Sequence, residues 1–302
     1  MTARVGVVVL SWNGRDDTLA CLRSLEAATY RSRFVVLVDN HSVDGTPEAV
    51  AEAFPDVEVV ALDENRGFAG GVNAGLRAAL ADGADHVLLL NNDTTVEPGF
   101  LEPLVEALER VPGAAAACSQ IVFLDRPDVI WYAGATFRRG RGHHGRNLGY
   151  GERRLPPGAP PFQTDRACGG AMLARASSLA ELGGLDESLF AYAEDTDWSL
   201  RAASAGSSIL VVPASVVRHA VSASTGGAAS PDSLYYGLRN GLVVAERWAP
   251  LGPVRTWLRR SEAVAAYLAQ ALLSGNVRAG ASAVLDGWRD FLAGRLGQRP
   301  RA

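Results

Sequence analysis

The first half of the chain alternates two textures without a break, and that alternation limits the fold more than any other feature. Short Val- and Leu-rich segments, VGVVVLS, FVVLVDN, VEVVALD, HVLLLNND and AAACSQIVF, read as strands buried on both faces. Between them RDDTLACLRSLEAA, TPEAVAEAF, GGVNAGLRAALADG and EPGFLEPLVEALERV carry apolar residues at helical spacing, for example Leu19, Leu22 and Leu25. Strand and helix in turn, joined by short loops, predict parallel strands linked by right-handed crossovers. The expected class is α/β: a Rossmann-like, mostly parallel central sheet flanked by helices. In such a sheet ligands bind at the carboxyl ends of the strands.

Those carboxyl ends are polar. The first segment ends in Ser11-Trp12-Asn13, the second in Asp39-Asn40, the third in Asp63 followed by Asn65-Arg66-Gly67, and the fourth in Asn91-Asn92-Asp93. Any one of these groups suits a helix cap or a turn. Four in succession along one sheet edge point to a polar ligand lying across it. In the fourth, the apolar run Val87 to Leu90 stops abruptly in two amides and a carboxylate, and EPG behind Thr-Thr predicts the next helix. Asp93 is a hard oxygen donor suited to Mg²⁺ or Mn²⁺ shared with phosphate oxygens; it equally suits a turn or N-cap. Asp39 can accept the ring N–H of a uracil or thymine base. Glycines 67, 70, 71 and 75 open a helix and let backbone approach phosphate or ribose, but the stretch is neither G-x-G-x-x-G nor a P-loop.

Farther along, RRGRGHHGRNLGYGERR (138–154) has little to bury and predicts a long exposed loop, either a solvated excursion or a flap over an anionic substrate. EDTDWSLRAASAG predicts a helix ending near Gly206 with Glu194, Asp195 and Asp197 in its first turn. Asp197 can pair with Arg201 four residues on. Glu194 and Asp195 are then either dipole-favoured acids or a general base. His219 follows the last strand, SILVVP, and is either structural or a metal ligand. From about Leu251 the chain reads as helical, mixing an apolar face with arginines: a cap, a dimer face or a membrane-surface helix, with the first two favoured.

The 302 residues, 48% hydrophobic, suffice for one large domain with or without an appendage. A net charge of -4 gives no field that would favour nucleic acid as a partner. Cys21, Cys118 and Cys168 make no C-x-x-C pair, which argues against a disulfide framework or zinc knuckle and for a reducing cytosol. No stretch reaches the roughly 20 apolar residues of a spanning helix, and the first apolar run is too short for a signal peptide.

In order along the chain, VVVLSWNGRDDTLACLRSL, VVLVDNHSVDGT, ENRGFAGGVNAG, VLLLNNDTTVEPGFL, CGGAMLARASSLAELGGLDESLFAYAEDTDWSLRA and VVPASVVRHAVSAST resemble the family 2 glycosyltransferases of GT-A fold. Within that family they most resemble the bacterial rhamnosyltransferase-like branch, over about residues 4–245. The resemblance implies inverting transfer of a sugar from a nucleotide diphosphate donor, dTDP-rhamnose first and a UDP-sugar second. The acceptor would be a hydroxyl of a glycan, a lipid-linked saccharide or a small molecule. It places Asp39 on the base, and Ser11, Asn13, Asn65, Arg66, Gly67, Asn73, Asn91 and Asn92 along the nucleotide-sugar. Asp93 and His219 would hold the divalent cation, Mg²⁺ or Mn²⁺. Asp195, with Glu194 close behind, would be the base, and Cys168, Gly169, Gly170 and Trp198 would line the acceptor side. Asn91 stands where the D-x-D pattern has its first Asp, which removes one charge near the metal. The resemblance also divides the chain into a catalytic domain, 1–245, with nucleotide-binding (to about 125) and acceptor-binding (126–245) halves, and a helical region, 246–302. The helical region would offer a peripheral membrane contact or a homodimer face, in a cytoplasmic enzyme at the inner face of the plasma membrane. Two other readings fit the sequence less well. A sugar-phosphate nucleotidyltransferase would need a Gly-rich loop with Arg and Lys after the first strand, which SWNGRDD does not supply. A non-catalytic nucleotide-sugar-binding module would have no use for Asp93 together with the Glu194-Asp195 pair.

Overall fold

The computed structural model describes residues 2–137, 145–221, 229–273 and 275–300. The alternating half forms β1 (Val5–Ser11), α1 (Arg15–Glu26), β2 (Arg33–Asp39), α2 (Thr46–Ala53), β3 (Glu58–Ala61), α3 (Gly67–Ala81) and β4 (His86–Asn91). β1 pairs in parallel with β2 on one side and β4 on the other, and β2 pairs with β3. The order β3-β2-β1-β4 therefore reverses its direction of travel between β1 and β4. At such a switch point the flanking crossovers leave on opposite faces and open a crevice at the strand carboxyl ends. Val87, Leu88, Leu89 and Leu90 are at most 2% exposed, as a continuous apolar run requires, and each contributes roughly 1.5–3 kcal/mol by its burial. α3 lies close on β1 because Gly71 and Gly75 meet Leu10 and Val8, where a methyl group would overlap those side chains.

The second half departs from a simple parallel continuation. A short β5 (Thr94–Val96) follows the Asn-Asn-Asp turn at once, so Thr-Thr is strand rather than the approach to α4 (Leu101–Arg110). The fifth apolar segment, β6 (Ala114–Phe123), does not lie beside β4. Beyond it come β7 (Ile130–Tyr132), β8 (Ala135–Phe137), β9 (Gly145–Asn147), β10 (Phe162–Thr164), β11 (Ala171–Arg175), α5 (Ala176–Leu182), α6 (Glu194–Ser204) and β12 (Ser208–His219). β11 inserts between β4 and β6, antiparallel to both, and β12 continues the sheet parallel to β6. Of the stretch expected to be a long loop, 138–144 lie outside the described residues, while Gly145–Asn147 is β9, paired antiparallel with β8. His219 is the last residue of β12 rather than a residue beyond the strand. β12 pairs antiparallel with β5, with His219 opposite Thr94.

The chain then forms α7 (Pro231–Trp248), α8 (Pro253–Ala271) and α9 (Val277–Leu292). α7 starts with Pro231 in its first turn and the Ser230 hydroxyl accepting the N–H of Ser233 at 3.2 Å. The division expected at 245 falls inside this helix. The three helices share a core of their own, including Leu234, Tyr235, Leu238, Ala263 and Val284, separate from the core of the sheet. Among the described residues no helix is long and apolar enough to cross a membrane.

Candidate active site

A cavity of about 1020 Å³ opens at the β1/β4 switch point and runs past the start of α6 to α7 and α8. Asn91, Asn92, Asp93 and His219 line one part of it, and Gly169, Gly170, Glu194 and Asp195 another. The polar end of β4 and the acids of α6, far apart in the chain, thus face one space.

The β5–β12 register builds the first corner. Pairing His219 with Thr94 sets the imidazole beside the preceding residue, and His219 Nε2 lies 3.0 Å from Asp93 Oδ1. The Asp93 carbonyl accepts the Ala220 N–H at 2.9 Å, which fixes the turn. Both side chains are buried, and His219 Nδ1 has no partner. The Trp131 ring stands edge-on to the imidazole at 4.6 Å. A carboxylate and an imidazole are apt donors for a divalent cation. Among the described residues no third His, Cys, Asp or Glu joins them, so such an ion would complete its shell from phosphate oxygens and water. The Asp17 carboxyl is pushed up by burial and then by the charge of Asp93, a sign of negative potential that a cation would answer.

The other sequence-derived nucleotide residues divide into two groups. Asn65, Gly67, Asn91 and Asn92 line the cavity, and so does Asn40. Asn40 organises the 65–67 turn: its Nδ2 donates to Asn65 Oδ1 (3.0 Å) and the Gly67 carbonyl (3.1 Å), and its Oδ1 accepts the Arg66 N–H (2.9 Å). Ser11, Asn13, Asp39, Arg66 and Asn73 do not line it. Ser11 bonds the Thr18 hydroxyl at 2.8 Å, and Thr18 in turn accepts from Asn92 Nδ2 at 3.0 Å. Asn13 bridges to Ser42 and Val43 in the turn after β2. Asp39 Oδ2 accepts the Ser42 N–H at 3.1 Å, while its buried Oδ1 has no partner. Arg66 pairs with Asp63 at 2.9 Å in solvent. Asn73 is taken up by Leu185, which it meets through both amide ends at 2.8 Å, and by Glu187 at 2.9 Å.

The second corner is the start of α6. Cys168, Gly169 and Gly170 line the cavity beside it, but Trp198 is fully buried and its indole N–H donates to the Gly183 carbonyl at 3.1 Å. Burial, and after it the charge of Asp195, pushes the Glu194 carboxyl up to about 8. Its Oε2 is buried and without a partner. Asp195 is half-buried. It acts on Arg166, whose guanidinium is lowered by burial but raised on balance, chiefly by the charge of Asp195. Arg166 also lines the cavity and donates to Asn147 Oδ1 at 2.6 Å. This arginine has no local signature, because nothing nearby in the chain separates it from the other 28 basic residues.

The backbone leading into this corner is strained. Phe190, Tyr192 and Ala193 have φ of 65°, 67° and 69°, which costs of order 1–3 kcal/mol each for non-glycine residues. The surroundings enforce it. Asn240 of α7, fully buried, directs Nδ2 at the carbonyls of Leu189 (2.7 Å), Ala191 (2.6 Å) and Tyr192 (2.9 Å). Its neighbour Arg239, also fully buried, reaches the Leu189 carbonyl at 3.3 Å. The Phe190 carbonyl accepts the Ala69 N–H of α3 at 3.1 Å, and Gly67 leaves no room for a side chain against Phe190.

The Glycosyl transferase family 2 profile matches residues 6–182. An N-acetylglucosaminyl-diphospho-decaprenol L-rhamnosyltransferase of Mycobacterium tuberculosis is 32% identical over 248 residues, 75% of this chain and 79% of that one. The dTDP-rhamnosyl transferase RfbF of Shigella flexneri is 22% identical over 222 residues, 73% of this chain and 70% of that one. The crystal structure of GalNAc-T7 with UDP, GalNAc and Mn²⁺ superposes with a TM-score of 0.68 at 19% identity. It covers 97% of this chain, which spans 56% of that one, and the likeness is one of fold, the GT-A fold. On the profile match and the mycobacterial relative together, the chain belongs to Glycosyl transferase family 2, in its rhamnosyltransferase-like branch, and is a glycosyltransferase.

Proposed function

We propose that the enzyme moves L-rhamnose, with inversion, from dTDP-rhamnose to a hydroxyl of a lipid-linked saccharide. The observation that carries this reading is that Asp93–His219 and Glu194–Asp195 line one cavity at the switch point of the sheet. The sugar and the acceptor class rest on the two rhamnosyltransferase relatives, one of which is named for a decaprenol-linked acceptor.

In this reading the donor diphosphate lies across the ends of β1 and β4, with Asn91, Asn92 and the 65–67 turn along the nucleotide. Asp93 and His219 would hold a divalent cation, as Mn²⁺ accompanies UDP in the GalNAc-T7 structure, and such a cation would supply positive charge for the departing diphosphate. Asp195 takes the proton of the acceptor hydroxyl as its oxygen attacks the anomeric carbon from the side opposite the diphosphate. The new C–O bond forms, the bond to the phosphate oxygen breaks, and its electron pair leaves with dTDP. Asp195 rather than Glu194 is the base, because a carboxyl raised to about 8 holds its own proton at neutral pH. Arg166, on which the charge of Asp195 acts, brings a cation to the same cavity.

A donor screen with Mn²⁺ tests the reading by nucleotide release. dTDP-rhamnose is expected to turn over with the highest kcat/KM, and a UDP- or GDP-sugar turning over faster would overturn the assignment of the sugar. No release from any donor, by protein that is folded, would sink the transfer mechanism.

A further inference from the structure

The outer face of α8 has no role in the site just described. At 3.6 residues per turn, Val254, Trp257, Leu258, Ala265, Ala269 and Leu272 fall on one side. Val254, Trp257 and Leu272 are 72%, 65% and 68% exposed. Leu273, 83% exposed, and Val277 extend the patch around the turn into α9. Nine of the thirteen large hydrophobic side chains exposed among the described residues lie between Val254 and Leu296. A surface patch of this kind marks an interaction site.

The charge around it is mostly positive. Residues 246–302 hold nine arginines against four acidic residues, while residues 1–245 hold 20 against 29. Arg255 lies at one end of the patch and Arg278 at the other. Both are exposed and neither makes an ion pair among the described residues. On the exposed side of α8 the one acidic residue is Glu262.

We infer that α8 docks flat on an anionic lipid bilayer, with Trp257 and the leucines at the acyl boundary and Arg255 and Arg278 on lipid phosphates. A helix that is apolar on its outer side and flanked by arginines lies in the interface plane, where Trp is at home and each cation is drawn to the negative surface. A second copy fits worse. A two-fold contact presents the same patch to itself, and would bring the unpaired arginines together with only Glu262 to answer them. The docking also serves the proposed reaction, on whose reading its purpose rests. Tyr267, on the opposite side of α8, lines the cavity, so the bilayer would stand about one helix diameter, roughly 10–12 Å, from the cavity wall.

The test is sedimentation of the 302-residue chain with phosphatidylcholine vesicles, with and without phosphatidylglycerol. The protein is expected to pellet with the anionic vesicles, less so at high salt, and to stay in solution with neutral ones. Arg255→Glu and Arg278→Glu should each lower partitioning at least about fivefold, the factor that corresponds to about 1 kcal/mol per basic residue. Trp257→Ser combined with Leu272→Ser should abolish it while helicity and nucleotide release stay unchanged. Equal binding to neutral vesicles, or no binding, overturns the inference. So does a dimer in analytical ultracentrifugation that the double substitution dissociates, which would give the face to a second copy. Failure of the transferase reading looks different: vesicle binding with no nucleotide release.

Discussion

The two corners of the cavity are built by opposite means. Asp93 and His219 are neighbours because two adjacent strands pair in one register, β5 against β12, and the contact follows from regular backbone. Glu194 and Asp195 follow a loop with three side-chain-bearing residues at positive φ, held in place by Asn240 from a helix outside the sheet. The difference teaches where the site is robust. Strand register resists point changes, since slipping it turns every buried side chain outward. A strained loop depends on whatever over-determines it. The α7 helix therefore helps to position the start of α6.

Either corner can be perturbed separately. The largest effect is expected from Asp195→Asn: loss of a general base lowers kcat by about 10²–10⁴-fold, measured as initial rate, with donor affinity by calorimetry unchanged. Chelation by EDTA should stop turnover of the wild type and leave Asp195→Asn as inactive as before, with Mn²⁺ restoring only the former. Asn240→Ala comes next. It leaves buried carbonyls unpaired at a cost of about 1–3 kcal/mol, and the freed loop should lower kcat roughly tenfold with donor KM unchanged. A fall in Tm alone, with kcat intact, would show the clamp to be merely structural.

The smallest effect at neutral pH is expected from Glu194→Gln, and it sharpens the comparison through its pH dependence. Glu194 holds its proton in the folded chain up to about 8, against an ordinary value of 4.5. The contribution of this group to stability is therefore greatest below the ordinary value and is lost as pH rises toward 8, because the unfolded chain releases this proton first. The Gln variant lacks that slope. Its Tm should match the wild type near pH 4.5, exceed it increasingly up to pH 8, and run parallel above.

Both corners were legible in the sequence, and the props were not. Asn91, Asn92 and Asp93 stand out because three polar residues end an apolar run. Glu194 and Asp195 stand out because they crowd a helix start. Ser11, Asn13 and Asn73 carry the same local signature as the amides that line the cavity. What separates them is a partner far along the chain: Asn73 meets Leu185, 112 residues on. Trp198 looked like a ring for an acceptor and is core, since its side of α6 faces inward. The β11 strand could not be placed between β4 and β6 from texture, because AMLAR suits any buried strand. Arg166 and Asn240 matter only through contacts with segments elsewhere in the chain.

A single direct displacement across this cavity fixes the anomeric configuration of the product, which can be read by NMR. Proton NMR of the first product formed from an anomerically pure donor should show one configuration only, opposite to that of the donor. Retention, or a mixture of both anomers, would contradict a lone carboxylate at the start of α6 facing a diphosphate held at the end of β4.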